Sequence, residues 1–217
     1  MNYLKFSVVT GGLIALMMGL SGAAMAGSDE EQLARIKDPD QWPLPGRDFE
    51  LTRHSALADI TTGNVNKLQM IWLQGTNALR GHEGQPLVIK DVGGKTMLFM
   101  VSGCPAMSNC NVVQALDLTD PDNPKQVWNY VKKTDRDESA VPRACCDTVN
   151  RGGSYADGKF VYGTLDGFVI ALDGQTGKEV WVVKYAYPEK GETITPAPLI
   201  ADDKVIIGFG GDEFAAR

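Results

Sequence analysis

The segment Ala115-Leu116-Asp117, followed by Val127-Trp128, returns as Ala171-Leu172-Asp173 followed by Val180-Trp181. The alanines stand 56 residues apart and the tryptophans 53. Apolar segments precede each copy, over 86–101 and 154–164, and a third copy opens at Pro198-Leu199-Ile200 and runs through Val205-Ile206-Ile207. A recurring unit of ~40–60 residues made of short antiparallel strands is the signature of a β-propeller, whose ring closes with ~4–8 such blades. About two and a half are present in 217 residues. An unfinished blade leaves unpaired strand edges. The chain therefore reads as the N-terminal part of a longer all-β protein that does not fold in isolation. A short chain that closes its ring by oligomerising is the other solution.

The expected strands are 68–74, 86–91, 96–102, 112–117, 126–131, 159–164, 167–172, 179–185, 197–201 and 204–209. They are rich in Val, Ile, Leu, Phe and Tyr and are punctuated by Gly, Asp, Asn and Pro. Asp166-Gly167 and Asp202-Asp203 mark tight hairpins. Ser28-Asp29-Glu30-Glu31 reads as a capping box that opens a helix ending near Lys37.

The first 26 residues have another origin. A basic start at Lys5, an apolar run from Phe6 to Leu20 and the small-x-small site Ala24-Met25-Ala26 predict a signal peptide cut after Ala26. The run is short for a membrane span, which needs ~20 apolar residues, and no Cys at the cut marks a lipoprotein. Residues 27–217 would then be the exported part. The formal net charge of −6, with no basic stripe, argues against nucleic acid as a partner.

Export makes Cys104, Cys110, Cys145 and Cys146 disulfide candidates. With no CxxC and only His54 and His82, a zinc site has little support. Adjacent Cα atoms lie ~3.8 Å apart, against ~4.4–6.8 Å in ordinary bridges. A Cys145–Cys146 bond would therefore be a strained ring that closes almost no loop, and a local role suits it better than a stabilising one. Two free thiols, or pairing with Cys104 or Cys110, remain open at this level. Cys104 and Cys110 flank the loop 103–111, which a bridge between them would close.

The stretch Ala171 to Trp181, ALDGQTGKEVW, resembles the tryptophan-docking motif A-x-D-x-x-T-G-x-x-x-W of pyrroloquinoline-quinone (PQQ) dehydrogenases. The run Ala144 to Gly152, ACCDTVNRG, resembles the vicinal-disulfide segment of the periplasmic PQQ-dependent alcohol dehydrogenases, the methanol and ethanol dehydrogenase family. Gly81-His82-Glu83-Gly84-Gln85-Pro86-Leu87 and the stretch from Val205 to Phe214 agree in order and spacing, so the resemblance covers about 29–217.

The resemblance implies an eight-bladed propeller and a Cys145–Cys146 disulfide roofing the flat PQQ ring. Arg151 would meet the quinone oxygens, where a guanidinium favours developing negative charge. Glu83 would meet a carboxylate edge of the cofactor. Thr195 would supply a hydroxyl to a cofactor carboxylate, with Thr193 as competitor. Gly210, Gly211 and Asp212 would border the cofactor, Gly210 standing where the family often has Ser. Glu213 would be a ligand for Ca²⁺ or a lanthanide, both of which prefer hard oxygens. The implied reaction is oxidation of a primary alcohol to the aldehyde, a hydride passing to metal-bound PQQ and electrons leaving to a periplasmic cytochrome c. The acidic balance would suit a basic cytochrome, and a homodimer or small-subunit complex is compatible with the family. The catalytic Asp is expected beyond Arg217, so these residues alone should be inactive. The competing reading is a non-enzymatic periplasmic propeller scaffold, which accounts for the tryptophan repeats but not for the Cys-Cys and Arg151 constellation.

Overall fold

The computed structural model describes residues 27–76, 78, 81–103, 111–132, 138–144 and 146–212. Four strands, β2 (Leu87–Val92), β3 (Lys95–Ser102), β4 (Val112–Asp117) and β5 (Lys125–Val131), form an antiparallel meander. A second meander follows with β6 (Asn150–Ala156), β7 (Lys159–Gly163), β8 (Phe168–Asp173) and β9 (Glu179–Lys184), and a hairpin of β10 (Leu199–Ala201) and β11 (Lys204–Ile206) begins a third. A short strand before the first meander, β1 (His82–Gln85), crosses to the second and pairs with β6 in parallel. This is the expected blade arrangement, two whole blades and the first hairpin of the next.

The repeat has a structural meaning. Ala115 faces Trp128 across β4 and β5, and Ala171 faces Trp181 across β8 and β9. Both pairs of strands shift register immediately after the alanine, which bulges Val127 and Val180 out of the ladder at equivalent places. Trp128 then leaves its own blade. Its indole Nε1 donates to the Gly174 carbonyl at 3.1 Å, and the ring lies on Gly177, where a Cβ would sit 2.6 Å from the indole. The receiving turn is built by Asp173, whose Oδ1 accepts from the Thr176 hydroxyl at 2.7 Å and from the Thr176 and Gln175 amides. These bonds, led by that from Thr176, hold the Asp173 carboxyl below its ordinary pKa. The equivalent Asp117 accepts from the Thr119 amide and pairs with Lys95 at 3.0 Å.

Side chains alternate between the two faces of a strand, so a blade between two others buries both. On β7 and β8, Phe160, Tyr162, Ile170 and Leu172 pack toward the first blade against Leu87, Ile89, Phe99 and Trp128. Their neighbours Val161, Val169 and Ala171 pack the other way against Ile194 and Ile200. Phe99 stacks on Tyr155 and Phe160 with centroids 5.4 and 5.2 Å away.

Helix α1 (Ser28–Lys37) has the expected bounds but not the expected cap. Its N-cap is Gly27, with no side-chain cap bond. The Ser28 hydroxyl accepts from the Asp203 amide, and the Asp203 carboxylate accepts from the Ser28 amide. Asp29 takes the Asp202 amide, Glu31 the Asp157 amide, and Gln32 donates to the Ile200 carbonyl. Arg35 donates to the Lys90 carbonyl. The polar side chains that read as a local cap serve the tight turns at Asp157 and at Asp202–Asp203 instead, in the second and third blades.

Two further expectations are corrected. The segment 68–74 is not a strand: among the described residues nothing pairs with it, and Met70 and Leu73 are 78% and 74% exposed. An apolar run marks a chain able to join a sheet, and a ladder still needs a partner edge. Conversely, β1 and β6 were not expected as strands in their own right, because HEGQ and NRGGSYA are poor in β-branched residues. The Cys104–Cys110 expectation lies outside the described residues, as does the leader 1–26.

Trp128→Ala should cost about 3–5 kcal/mol by denaturant titration, as for a large buried aromatic. Asp117 provides a pH test. The hydrogen bonds from Thr119, then the pair with Lys95, lower its pKa to about 2. Its stabilisation is complete above the ordinary carboxylate range and is lost as pH falls through about 2. The gap in melting temperature between the wild type and Asp117→Asn should therefore close over that acid limb and stay constant above it.

Candidate functional site

The parallel pairing of β1 with β6 sets Glu83 beside Arg151. Arg151 Nη2 lies 3.4 Å from the Glu83 carboxylate, and Nη1 donates to the Thr195 hydroxyl at 2.8 Å. The Arg151 amide donates to the Thr195 carbonyl at 2.9 Å. The three side chains thus come from the starts of three successive blades, at one end of the sheets. Arg151 and Glu83 keep 44% and 52% of their side chains exposed. A half-exposed ion pair adds little stability, so the row presents charge to solvent more than it braces the fold.

The two threonines separate cleanly. Thr193 is buried and exchanges both backbone hydrogen bonds with Gly210, at 3.0 and 2.7 Å. Thr195 is half-buried and faces Arg151. The Thr193 bridge brings 208–211 against the same end of the molecule. Gly211 adopts φ +136 and is buried, a conformation that favours glycine, while Asp212 follows it exposed. Gly208 and Gly210 are different. Neither has a positive φ, a Cβ on Gly208 would meet nothing within 4 Å, and one on Gly210 would only graze Thr193 at 3.9 Å. Among the described residues, neither backbone strain nor packing calls for glycine at either position.

Cys146 is exposed and disulfide-bonded. The other three cysteines lie outside the described residues, so its partner is not among them. Asp147 follows in the left-handed region at φ +67. Thr148 then packs on Gly81, where a Cβ would meet its carbonyl at 3.1 Å. The turn 146–148 therefore stands at the entry to β1, two residues ahead of Glu83. Asn150, which sequence reasoning passed over between Cys146 and Arg151, is fully buried, with both ends of its amide bonded.

The donor set fits a flat, carboxylate-bearing quinone. A guanidinium and a hydroxyl converge on one exposed edge, beside backbone without side chains. For a metal, no group of three or more His, Cys, Asp or Glu gathers among the described residues, and Glu213 lies outside them. No helix of the described residues is long and apolar enough to cross a membrane.

Comparison with known proteins agrees with this geometry. Residues 42–210 match the family model described as PQQ glucose/ethanol/alcohol dehydrogenase, beta-propeller domain. The chain is 43% identical over 215 residues to the lanthanide-dependent methanol dehydrogenase of Methylacidiphilum fumariolicum (strain SolV), covering 98% of this chain and 33% of that protein. It is 36% identical over 222 residues to the dehydrogenase subunit of the alcohol dehydrogenase (quinone) of Komagataeibacter europaeus, covering 96% and 28%. Among solved structures, a europium-containing methanol dehydrogenase superposes with a TM-score of 0.77 at 44% identity, over 85% of this chain and 30% of that one. The chain spans about a third of the length of the curated relatives it matches. With most of its length matched by the family model, the chain belongs to the PQQ glucose/ethanol/alcohol dehydrogenase family through its β-propeller domain.

Proposed function

We propose that this chain forms one wall of the cofactor site in a periplasmic PQQ-dependent alcohol dehydrogenase that oxidises a primary alcohol, of the methanol or ethanol type, to the aldehyde. The observation that carries this reading is Arg151 set between Glu83 and Thr195, two residues along from the Thr193 bridge to Gly210. Arg151 offers charge and paired N–H donors to oxygens of a bound anion. Glu83 and Thr195 meet the guanidinium at its two terminal nitrogens. Cys146 is disulfide-bonded, and with Cys145 as its partner, as the family resemblance implies, it would offer a rigid uncharged wall to the cofactor ring. The family relationship supports the rest of the assignment: export after cleavage at Ala26, an alcohol as substrate, and a cytochrome c as electron acceptor.

When bound, PQQ supplies an o-quinone able to take two electrons from the alcohol. Glu213 would contribute a hard carboxylate oxygen to Ca²⁺ or a lanthanide, an ion that polarises a neighbouring carbonyl. The name of the Methylacidiphilum relative favours the lanthanide.

The test is titration of the protein, as its host expresses it, with PQQ in the presence of Ca²⁺ and separately of Eu³⁺, followed by dye-linked oxidation of methanol. A tight complex with either ion and turnover are expected. Failure of both ions to support PQQ binding would favour the scaffold reading. Gly208→Ala and Gly210→Ala supply a sharper check. Each should leave folding stability within about 0.5 kcal/mol of the wild type yet weaken PQQ binding. Unchanged binding in both would remove these glycines from the site.

A further inference from the structure

Arg151 raises a question that its own contacts do not answer. Among the described residues its guanidinium contacts Glu83 and Thr195, and these half-exposed contacts cannot hold a long flexible side chain firmly. Its location must be set through the backbone, and there one buried side chain acts on both flanks. Asn150 has no exposed surface. Its Oδ1 accepts from the Gly152 amide at 2.9 Å, closing a turn around Arg151 itself. Gly152 has φ +116, and a Cβ there would lie 3.0 Å from the Gln85 carbonyl. The Asn150 Nδ2 donates to the Gly163 carbonyl at 2.7 Å, at the end of β7. The hairpin that follows is anchored from the first blade, where buried Asn111 accepts from the Leu165 amide at 3.2 Å.

We infer that Asn150 is a positioning residue: by clamping Gly152 to the Gly163 hairpin it fixes the backbone from which Arg151 reaches the cofactor. This rests on the reading of Arg151 as a cofactor contact. An apolar residue of equal size could fill the space, but it would leave the Gly152 amide and the Gly163 carbonyl unpaired. Asn150 thus ties the exposed edge of the site to the rigid middle of the second blade.

The experiment compares Asn150→Ala, Asn150→Ser, Arg151→Ala, the double variant and Asn111→Ala in the protein as its host expresses it. PQQ affinity is measured for each, and the Arg151–Thr195 contact is read from crystal structures of the cofactor-free variants. In Asn150→Ala the guanidinium should leave Thr195 and PQQ affinity should fall about ten-fold, the size of one lost buried hydrogen-bond partner. Adding Asn150→Ala to Arg151→Ala should change affinity no further, since both act through one group. Asn150→Ser, whose hydroxyl can still accept from the Gly152 amide, should recover part of the loss. Asn111→Ala loosens the same hairpin without touching Gly152 and should stay within about two-fold. An Arg151 that stays on Thr195 in Asn150→Ala, or losses that add in the double variant, would overturn the inference. Failure of both Asn150 variants to fold would also count against it, making the residue structural only. If Arg151→Ala alone binds PQQ normally, the cofactor reading falls, and the cofactor-free structures still decide whether Asn150 positions Arg151.

Discussion

A thin antiparallel sheet has two faces and can bury neither by itself. Everything else in this chain follows from the solution adopted, which is to stack one sheet on the next. The middle sheet is apolar on both sides because Phe160, Tyr162, Ile170 and Leu172 meet the first blade while Val161, Val169 and Ala171 meet the third. Stacking alone would let the sheets slide. The Trp128 indole prevents that by reaching from one blade into the turn of the next, where Gly174 accepts its N–H and Gly177 makes room for its ring. A flat aromatic with a single donor suits such a joint, because its area supplies the adhesion and its N–H sets the register.

The same stacking builds the site. Because each blade begins at the same end, the first residues of successive inner segments fall side by side. Glu83, Arg151 and Thr195 are neighbours although the chain between them is long. None of the three is buried, and none is needed to fill the core. Selection for chemistry can act on such positions with little penalty in stability, so charged and polar side chains gather there while the interior keeps its aromatic residues.

Most of the fold was legible in the sequence, and the reasons are local. The alanine–aspartate–tryptophan repeat and the Asp-Gly and Asp-Asp turns are dictated by close packing and by left-handed backbone. Asp202 and Asp203, with φ +50 and +55, hold the turn as expected. What was not legible depends on partners far along the chain. Leu68 to Leu73 are as apolar as a strand but have no edge to join among the described residues. The first half of β6, Asn150 to Gly153, was not expected as strand because it lacks β-branched residues, yet Gly153 is required: a Cβ there would lie 2.4 Å from Phe160. Glu83, Arg151 and Thr195 were singled out by resemblance alone, and their contact with one another was not foreseen. Asn150 was not, because a buried asparagine carries no periodic signature and its two partners are set by tertiary structure.

The N-terminal helix deserves a kinetic reading. Its acidic first turn is synthesised first, yet the amides it accepts belong to Asp157, Asp202 and Asp203. The Ser28–Asp203 exchange spans 175 residues of chain. Contacts of such separation form late, after the loop entropy of everything between has been spent. Arg35 and Glu31 can engage the first two blades, but the first turn at Ser28 and Asp29 is satisfied only when the hairpin of the third is in place, which makes it a latch that registers the order of assembly, at the end of the sheets opposite Arg151.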